Sequence, residues 1–439
     1  MSRGHLCQTF YEGARSYIAG HVSLFSKHPD YLLPEHWPSY YREAKGSRII
    51  ASDGVEYLDM SNCGAGACPL GYGNEHVDDM VHEAVDRGVA CMLNSEYEVQ
   101  LAERLVELHS DLGMEQVKFT RSGGEAIAVA VRIARAFTRR NVIATMGHYH
   151  GWHDVSMSGI KTEQYGGGIL SDYRVDLNLH SPDPRVMLDD YKSGLAAILI
   201  DPMYVDLEVR QTIYEFCRRT GTLLIHDEIT SGYRSRVGAH FREASCPPDL
   251  VVLGKGMANG YALSAVLGSR RVMSACDESF ISSTHWSESI GFAAGLATIE
   301  EWIEPDSKGI RVGDHLREIG EYFTTKVNAM VEEVHGFADL SRYYALYVNH
   351  KLSQLCHVNW SGNGRLLHAK WMLDKCVLVG PSFYPMATHT ISDVDRYVDL
   401  TREFLMQYRT ERKSSLAEGG KLFVMDIPED GKAALRKPF

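Results

Sequence analysis

The sequence predicts an α/β protein that has a mainly parallel sheet flanked by helices, together with a smaller α+β domain. Between about 115 and 270, short apolar strands alternate with helical segments, which is the pattern of a parallel sheet. After this region, helices and short strands mix as in a smaller α+β domain. We expect an N-terminal arm with part of the small domain (1–70), a large domain (71–305), and the rest of the small domain with a tail (306–439).

The individual elements follow from apolar periodicity and from turn residues. A hairpin is predicted over 48–60, turning at Asp53-Gly54, and the rest of residues 1–50 is predicted as an extended arm after one short helix. The large domain should contain strands at 116–120, 141–145, 196–200, 222–226, 250–253 and 263–268. Helices are predicted at 9–19, 75–88, 96–110, 124–139, 207–219, 288–301, 309–334 and 391–407, with a loosely packed tail from Arg409.

Composition narrows the class of protein. The 439 residues are 44% hydrophobic and 23% charged, which is ordinary for a globular protein. No run of about eighteen apolar residues predicts a membrane span, and the first residues lack the apolar core of a secretion signal. Nine cysteines without a Cys-x-x-Cys pair are typical of reduced thiols, so we expect a cytoplasmic protein. A net charge of −12 argues against nucleic acid as a partner.

Lys255 is the candidate catalytic residue. The apolar strand 250–253 stops at Gly254, and Lys255 stands between Gly254 and Gly256. A lysine at the end of a rigid element, with bare backbone on both sides, suits an amine that forms a Schiff base with a carbonyl. Taken alone, Lys255 is better described as a solvated turn lysine, and it is the carboxylate and the phosphate cradle upstream that favour the catalytic role.

A phosphate cradle is predicted at Ser122, Gly123 and Gly124. Ser122 and Glu125 have the spacing of a capping box at the start of a strong helix. The two glycines carry no side chain that would keep an anion away from the free N–H groups of the first turn. A capped helix without any ligand is the alternative at this point.

Asp227 is the candidate partner of a heteroaromatic ring nitrogen. It follows the apolar strand 222–226, and Ile229, two residues later, should face the same way and pack beneath a ring. Glu228 should face away and receives no catalytic role. A carboxylate, a phosphate cradle and a lysine, each where a strand gives way to a turn or helix, are what pyridoxal 5′-phosphate (PLP) requires.

A histidine cluster offers a competing interpretation. His148, His150, His153 and Asp154 could be metal ligands, and the protein would then be a metal-binding relative without catalytic activity. The glycines at 147 and 151 favour a flat ligand instead, with Tyr149 stacking on a pyridine ring. We therefore predict no metal site.

With these residues identified, the chain resembles the class III PLP-dependent aminotransferases of fold type I, and most of all their glutamate-1-semialdehyde aminomutase branch. The resemblance covers roughly 40–300, with a weaker likeness to about 405. Four motifs carry it, in the family's order: Ser122-Gly-Gly-Glu-Ala126, Tyr149-His-Gly151, Leu224-Ile-His-Asp-Glu-Ile229 with Ser231-Gly-Tyr-Arg234, and Leu253-Gly-Lys-Gly256.

The resemblance implies a homodimer with shared active sites, in which Lys255 holds PLP as a Schiff base and Thr284 reaches the partner subunit's phosphate. It implies transfer of an amino group from an amino donor to a keto or aldehyde acceptor, in a biosynthetic pathway by our interpretation. A 2,1-aminomutase and a decarboxylase remain alternatives. Tyr165-Gly-Gly-Gly168 is either a mobile lid or an exposed turn.

The chain departs from the family pattern at three places near these motifs. Gly124 stands where the phosphate motif has threonine, Asp201-Pro202 replaces Glu-Pro, and Trp286-Ser-Glu-Ser289 replaces Ser-Gly-Asn-Pro. The branch's early serine-proline-valine-arginine stretch, which helps to hold the substrate carboxylate, has no match. We therefore expect an acceptor other than glutamate-1-semialdehyde, and a less acidic one.

Overall fold

The structure is a computed structural model that describes residues 5–147, 150–153, 173–177, 188, 191, 194–335, 346–360 and 364–417. The chain divides into two compact units. The first unit comprises Met1–Ala65, Leu70–Gly73 and His315–Phe439, and the second comprises Gly66–Pro69 and Asn74–Asp314. The division at 71 and 305 that we expect from the sequence concerns folding domains and stays a prediction.

The strands and helices are numbered here in chain order. The strands are β1 Tyr41–Lys45, β2 Arg48–Ala51, β3 Glu56–Met60, β4 Gln116–Thr120, β5 Val142–Met146, β6 Arg174–Asp176, β7 Leu195–Ile200, β8 Leu223–Asp227, β9 Leu250–Leu253, β10 Ser264–Gly268, β11 Leu346–His350, β12 Cys356–Trp360, β13 Val377–Val379 and β14 Ser382–Phe383. The helices are α1 His5–Tyr17, α2 Pro29–Leu32, α3 Glu75–Asp86, α4 Glu96–Leu108, α5 Gly123–Thr138, α6 Leu207–Thr220, α7 Arg270–Met273, α8 Ser289–Ile303, α9 Val312–His335, α10 Gly364–Asp374 and α11 Ile391–Ala417. Short 3₁₀ turns include Lys255–Ala258 and Thr284–Ser287.

The second unit is built on a mixed sheet with the strand order β4-β10-β9-β8-β7-β5-β6. The strands from β9 to β6 are parallel, and β10 runs antiparallel to both of its neighbours. All six residues of β7 are buried, as expected of a strand that is covered on both faces. The α/β fold with a mainly parallel sheet, predicted from the sequence, is confirmed.

The alternation of side chains along β8 decides which way its last residues point. Leu223 and Ile225 pack in the apolar cluster that contains α5, whereas Leu224 packs in the cluster that contains α6. Because successive side chains of a strand point to opposite faces, Asp227 lies on the face of α5, and His226 lies on the face of α6. The start of α5 and the end of β8 therefore belong to the same side of the sheet.

The first unit holds two smaller sheets. One has the order β1-β2-β3-β13, in which β2 and β3 form the predicted hairpin with Gly54 at a φ of +85°. The other has the order β11-β12-β14. Side chains from α9 and α11 join both sheets in one core, in which Phe323 packs against Phe383 and Tyr397.

Two expectations about the ends of the chain were wrong. Helix α11 does not end near 407 but continues to Ala417. The charges of that segment suggested a tail, yet it contains no glycine or proline and is rich in strong helix formers. Near the N-terminus, residues 25–32 are not extended but form a 3₁₀ turn and the short helix α2, which begins with Pro29 at its first position.

Two expectations from composition can be compared with the described residues. No helix among them is long and apolar enough to cross a membrane. All nine cysteines are described, and all are free thiols.

Candidate active site

Two neighbouring parallel strands bring the candidate catalytic residues to one edge of the sheet. Strand β8 ends at Asp227, which pairs in register with Val252 of β9. Strand β9 ends one residue later, and Gly254 and Lys255 follow. Ligands of open α/β sheets bind outside the carboxyl ends of the strands, and both residues lie there.

Lys255 is held in an uncommon backbone conformation. Its φ is +46°, in the left-handed region that costs a non-glycine residue about 1 kcal/mol or more. Its Nζ donates a hydrogen bond of 2.7 Å to Oγ1 of Thr230, in the loop that follows β8. Gly254 allows this close turn, since a methyl group there would lie 2.7 Å from Oγ of Ser264. The amine is therefore aimed at the end of β8 rather than at bulk solvent.

The start of α5 forms the predicted capping box. Oγ of Ser122 accepts from the amide of Glu125, and the Glu125 carboxylate accepts from the amide of Ser122 at 2.9 Å. Of the four amides that a helix start leaves without intrahelical partners, the box satisfies two. The remaining two belong to Gly123 and Gly124, and within the described residues neither has an acceptor. Two adjacent donors at the positive end of a 16-residue helix thus face outward.

Ile229 connects the cradle to the lysine. A methyl group added at Gly123 would lie 2.7 Å from Cδ1 of Ile229. A methyl group added at Gly254 would lie 3.5 Å from Cγ2 of the same side chain. Ile229 therefore fills the space between the first turn of α5 and the residue that precedes Lys255, and its close approach to the helix requires a glycine at 123.

Asp227 is buried and paired with His150. Its Oδ2 lies 2.9 Å from Nδ1 of His150, and its Oδ1 accepts from the amide of Ile229 at 3.1 Å. Nε2 of His150 lies 3.2 Å from the carbonyl oxygen of Met146. Because a carbonyl oxygen and a carboxylate only accept hydrogen bonds, these two neighbours favour a proton on both nitrogens of His150, which is the imidazolium form. Burial alone would lower the pKa of His150, but the hydrogen bond and charge of Asp227 raise it above its usual value.

A second buried acid stands beside this pair. Oδ1 of Asp201 accepts from the amide of Met203, and a side chain at Gly147 would touch both Asp201 and His150. Burial, and then the charge of Asp227, raise the pKa of Asp201 to about 7. Near neutral pH, Asp201 is therefore only partly ionised, whereas a carboxyl group at its usual pKa would be fully charged and would compete more strongly with Asp227 for His150.

The segment that carries Thr284 is tied to the residue before the cradle. Arg121 donates to the carbonyl oxygens of His285 and Trp286, and it forms an ion pair of 3.0 Å with Glu288. Thr284 itself is exposed. The departures from the family pattern in this segment are thus anchored on the same helix start as the phosphate cradle.

Two other buried charges near Lys255 have structural partners. Arg234 is only 1% exposed and donates to the carbonyl oxygens of Gly66 and Thr230. The Glu228 carboxylate accepts from Ser231 and from the amides of residues 240 and 241. Burial raises the pKa of Glu228 to about 7. Both side chains stabilise the loop after β8.

Some of the predicted site residues lie together in the structure, and others fall outside the described residues. Lys255, Asp227, Ile229 and Gly123 lie at one strand edge, whereas Tyr149, His148, Asp154 and Tyr165–Gly168 lie outside the described residues. Within the described ranges, no group of three or more His, Cys, Asp or Glu side chains is placed to hold a metal ion. Sequence reasoning missed His150 as the partner of Asp227, although its place directly before Gly151 in the Tyr-His-Gly turn marked it as a candidate.

The donor set fits one cofactor. Two free amides at a helix start suit a phosphate, a buried carboxylate suits a protonated ring nitrogen, and a lysine amine suits an aldehyde. Ile229 supplies an apolar surface between them. Fold and site together define a PLP-dependent enzyme of the α/β type.

Comparison with known proteins assigns the family. The Aminotransferase class-III model matches residues 34–342, and the chain belongs to that family. It is 31% identical over 340 residues to the 3-aminobutyryl-CoA aminotransferase of Cloacimonas acidaminovorans, covering 74% of this chain and 78% of that protein. It is 33% identical over 252 residues to a glutamate-1-semialdehyde 2,1-aminomutase of Fusobacterium nucleatum, and the match covers 54% of this chain and 57% of that protein. The PLP internal aldimine form of the Sphingopyxis sp. MTA144 FumI protein has the same fold, with a TM-score of 0.79, 24% identity and coverage of 93% and 97%.

The predicted class III family, PLP dependence and aminotransferase activity are thereby confirmed. The protein is a PLP-dependent aminotransferase, which moves an amino group from a donor to a carbonyl acceptor. The roles of individual residues, the substrates and the assembly are separate questions.

From the packing of Ile229 against Gly123 we predict that a larger residue at 123 lowers both stability and PLP binding. Gly123→Ala should lower the free energy of unfolding by about 1–3 kcal/mol, because the new methyl group overpacks the site, and it should weaken PLP binding. Gly123→Ala/Ile229→Val removes Cδ1, the atom that would be struck, and should recover most of both losses. Gly194→Ala is the control, since nothing lies within 4 Å of its added methyl group. Thermal unfolding and PLP titration measure both effects, and a double variant as impaired as Gly123→Ala would contradict the packing argument.

The buried pair predicts a pH-dependent contribution to stability. His150→Gln leaves Asp227 without its cation, and the free energy of unfolding should fall by about 3–5 kcal/mol. Since the pKa of His150 is raised, the contribution of the pair is complete below the ordinary histidine value of 6.5 and is lost as pH rises through the raised pKa. Denaturant unfolding across pH measures the difference between wild type and variant.

The matched control for this pair is His150→Gln/Asp227→Asn, which removes both charges. It should be more stable than His150→Gln alone. A difference between wild type and His150→Gln that grows with rising pH would show that His150 is not the charged partner.

Proposed function

We propose that Lys255 is the residue that binds PLP covalently and moves the proton during amino transfer. When bound, PLP supplies an aldehyde for the amino group and an electron-poor ring that accepts charge from the substrate carbon. Nζ of Lys255, once released from the cofactor, takes the proton from that carbon and returns it as general base and then acid. The position of Lys255 at the carboxyl end of β9, beside the end of β8, is the observation that carries this proposal.

The left-handed backbone and the bond to Thr230 support the same role. Thr230 accepts from Nζ at 2.7 Å, so the amine has a defined position when it is not bound to the cofactor. A strained residue persists where the surrounding structure fixes it, and such residues cluster at functional sites. We infer that Thr230 positions the lysine for proton transfer.

Asp227 is proposed to hold the proton of the cofactor's ring nitrogen, with His150 as its positioning residue. His150 fixes the Oδ2 atom of Asp227, and the amide of Ile229 fixes Oδ1. An anionic Asp227 in a low-dielectric site keeps a ring nitrogen protonated, which is what makes the ring an acceptor of charge.

The remaining cofactor contacts follow from the start of α5. Ser122, Gly123 and Gly124 are proposed to hold the phosphate, with the two glycine amides as donors. Ile229 is proposed to pack beneath the ring, and Tyr149, outside the described residues, stays the residue predicted to stack on its other face.

The protein is proposed to work as a homodimer with shared active sites in the cytoplasm. Met92 and its chain neighbour Leu93 are 100% and 81% exposed, and both belong to the unit that carries Lys255. Large apolar side chains that are exposed to this extent mark interaction surfaces when they form part of a patch. Thr284 is exposed too, and Arg121 fixes its segment in place. These features support a partner subunit whose phosphate Thr284 reaches.

The acceptor is proposed to be a keto or aldehyde compound of low acidity in a biosynthetic pathway. Arg234 and Arg121, which contact the candidate site, use their guanidinium groups on backbone carbonyls and, for Arg121, on Glu288. These bonds occupy part of each guanidinium group and so reduce its capacity for the bidentate clamp that a substrate carboxylate prefers. Trp152 and Trp286 add aromatic surface near the cradle.

A donor-only reaction tests the proposed activity and the role of Lys255. Purified holoenzyme mixed with one amino donor, without an acceptor, should release one keto acid per site and no carbon dioxide. Lys255→Ala should lose the absorption band that borohydride bleaches and should slow amino transfer by about 10²- to 10⁴-fold or more. Lys255→Arg, which keeps the charge, should fail equally. Carbon dioxide release would support a decarboxylase, and product without free keto acid would support an amino shift.

Mixed dimers test the shared active site. Lys255→Ala and Thr284→Glu protomers should each be inactive as homodimers. Random mixing makes half of the dimers hybrid, and each hybrid contains one intact site, so about one quarter of wild-type activity should return. The two variants are denatured, mixed and refolded together, and each is checked separately for dimerisation. If both dimerise but the refolded mixture has no activity, Thr284 does not act across subunits.

A further inference from the structure

Trp152 stands at the first turn of α5 with its polar edge toward the helix. A methyl group added at Gly124 would lie 3.3 Å from Nε1 of Trp152 and 3.4 Å from its Cδ1. The ring of His153 stacks on Trp152 at 4.2 Å between centroids and an interplanar angle of 24°. The side that faces Gly124 is therefore the N–H side of the indole, and the stacked histidine supports that orientation.

The indole N–H of Trp152 is available to donate a hydrogen bond to a ligand. Trp152 is 67% exposed, and within the described residues no acceptor lies on its Nε1. An indole nitrogen can only donate. It lies on the side of Gly124 where a Cβ would stand, and the amides of Gly123 and Gly124 are not used by the capping box. Three donors thus lie at one helix start, and a tetrahedral anion has oxygens enough for all three.

We propose that the N–H of Trp152 is a third donor to the cofactor phosphate, and that Gly124 and Trp152 form a matched pair. This inference rests on the proposed function of the cradle. A side chain at 124 would occupy the space into which the indole points, so a glycine there is what lets the indole reach the first turn. The hydroxyl that a threonine would bring at 124 is replaced by a donor from residue 152.

The bond would be a charge-assisted one at a partly exposed site. Hydrogen bonds to charged groups contribute more than neutral ones, and the loss of one corresponds to about a 10- to 100-fold change in affinity. Because the donor belongs to the phosphate contact alone, its loss should weaken PLP and leave pyridoxal, which has no phosphate, unaffected. A purely structural or aromatic role of Trp152 would weaken both ligands alike.

The test measures dissociation of PLP and of pyridoxal from full-length protein loaded with each. Trp152→Phe keeps the ring stacked on His153 and removes only the N–H. It should raise the dissociation constant of PLP about 10- to 100-fold and leave that of pyridoxal unchanged. Trp152→Ala/Gly124→Thr frees the space and supplies a hydroxyl, so it should recover PLP affinity relative to Trp152→Ala. Gly124→Thr alone should bind PLP more weakly than wild type, because its side chain meets the indole.

The outcomes separate this inference from the proposed function. An equal loss for PLP and pyridoxal in Trp152→Phe, or no loss for either, overturns the role of the indole while the PLP site stands. Failure of the double variant to improve on Trp152→Ala overturns the matched pair. If wild-type protein shows no PLP binding that depends on Lys255, the proposed cradle fails together with the inference.

Discussion

The side chain of Ile229 lies between Gly123 and Gly254, and the geometry of the site depends on its close approach to Gly123. Gly123 begins α5, Gly254 precedes Lys255, and Ile229 touches the space beside both. These positions come from three separate stretches of the chain, and only the parallel sheet brings them to one edge. Interiors are close-packed, so the side chain that fills this space also fixes the spacing between the helix start and the lysine. Packing, more than any single polar contact, sets the distances between the reactive groups.

The electrostatics of the site depend on which of three buried side chains are ionised: Asp227, His150 and Asp201. Asp227 and His150 form a buried pair, and the pKa of the neighbouring Asp201 is raised to about 7 by burial and by the charge of Asp227. Burying two charges is costly unless their geometry is good and their other donors and acceptors are satisfied. Met146 and Ile229 supply the missing bonds to His150 and Asp227. An anion is thereby held at the end of β8 without a mobile counter-ion.

How much the sequence could predict depended on how local each signal was. Six of the seven strands of the large sheet and the start of α5 were predictable, because an apolar run, a glycine or a capping residue marks each within a few positions. The seventh strand, β6, was missed because its three residues, Arg174–Asp176, form no apolar run. The pair of Asp227 with His150 was not, because it joins residues 77 positions apart and no local pattern encodes it. The left-handed backbone of Lys255 was equally hidden, since the flanking glycines only made it possible. The length of α11 was misjudged because high charge was mistaken for a lack of structure.

Several departures from the family motifs are connected by contacts at the start of α5. Nε1 of Trp286 lies 3.3 Å from Oε1 of Glu125, the residue that caps α5. Glu288 pairs with Arg121 and caps α8 through the amides of Ile290 and Gly291. The first turn of α5 thus contacts the segment 285–288 through charged and indole groups, and it contacts Trp152 through Gly124. The departures at 124 and 286–289 thus have contacts at the same helix start, whereas Asp201 lies beside His150. These contacts change which side chains surround the proposed anion site, while the capping box of Ser122 and Glu125 keeps the helix start that attracts an anion.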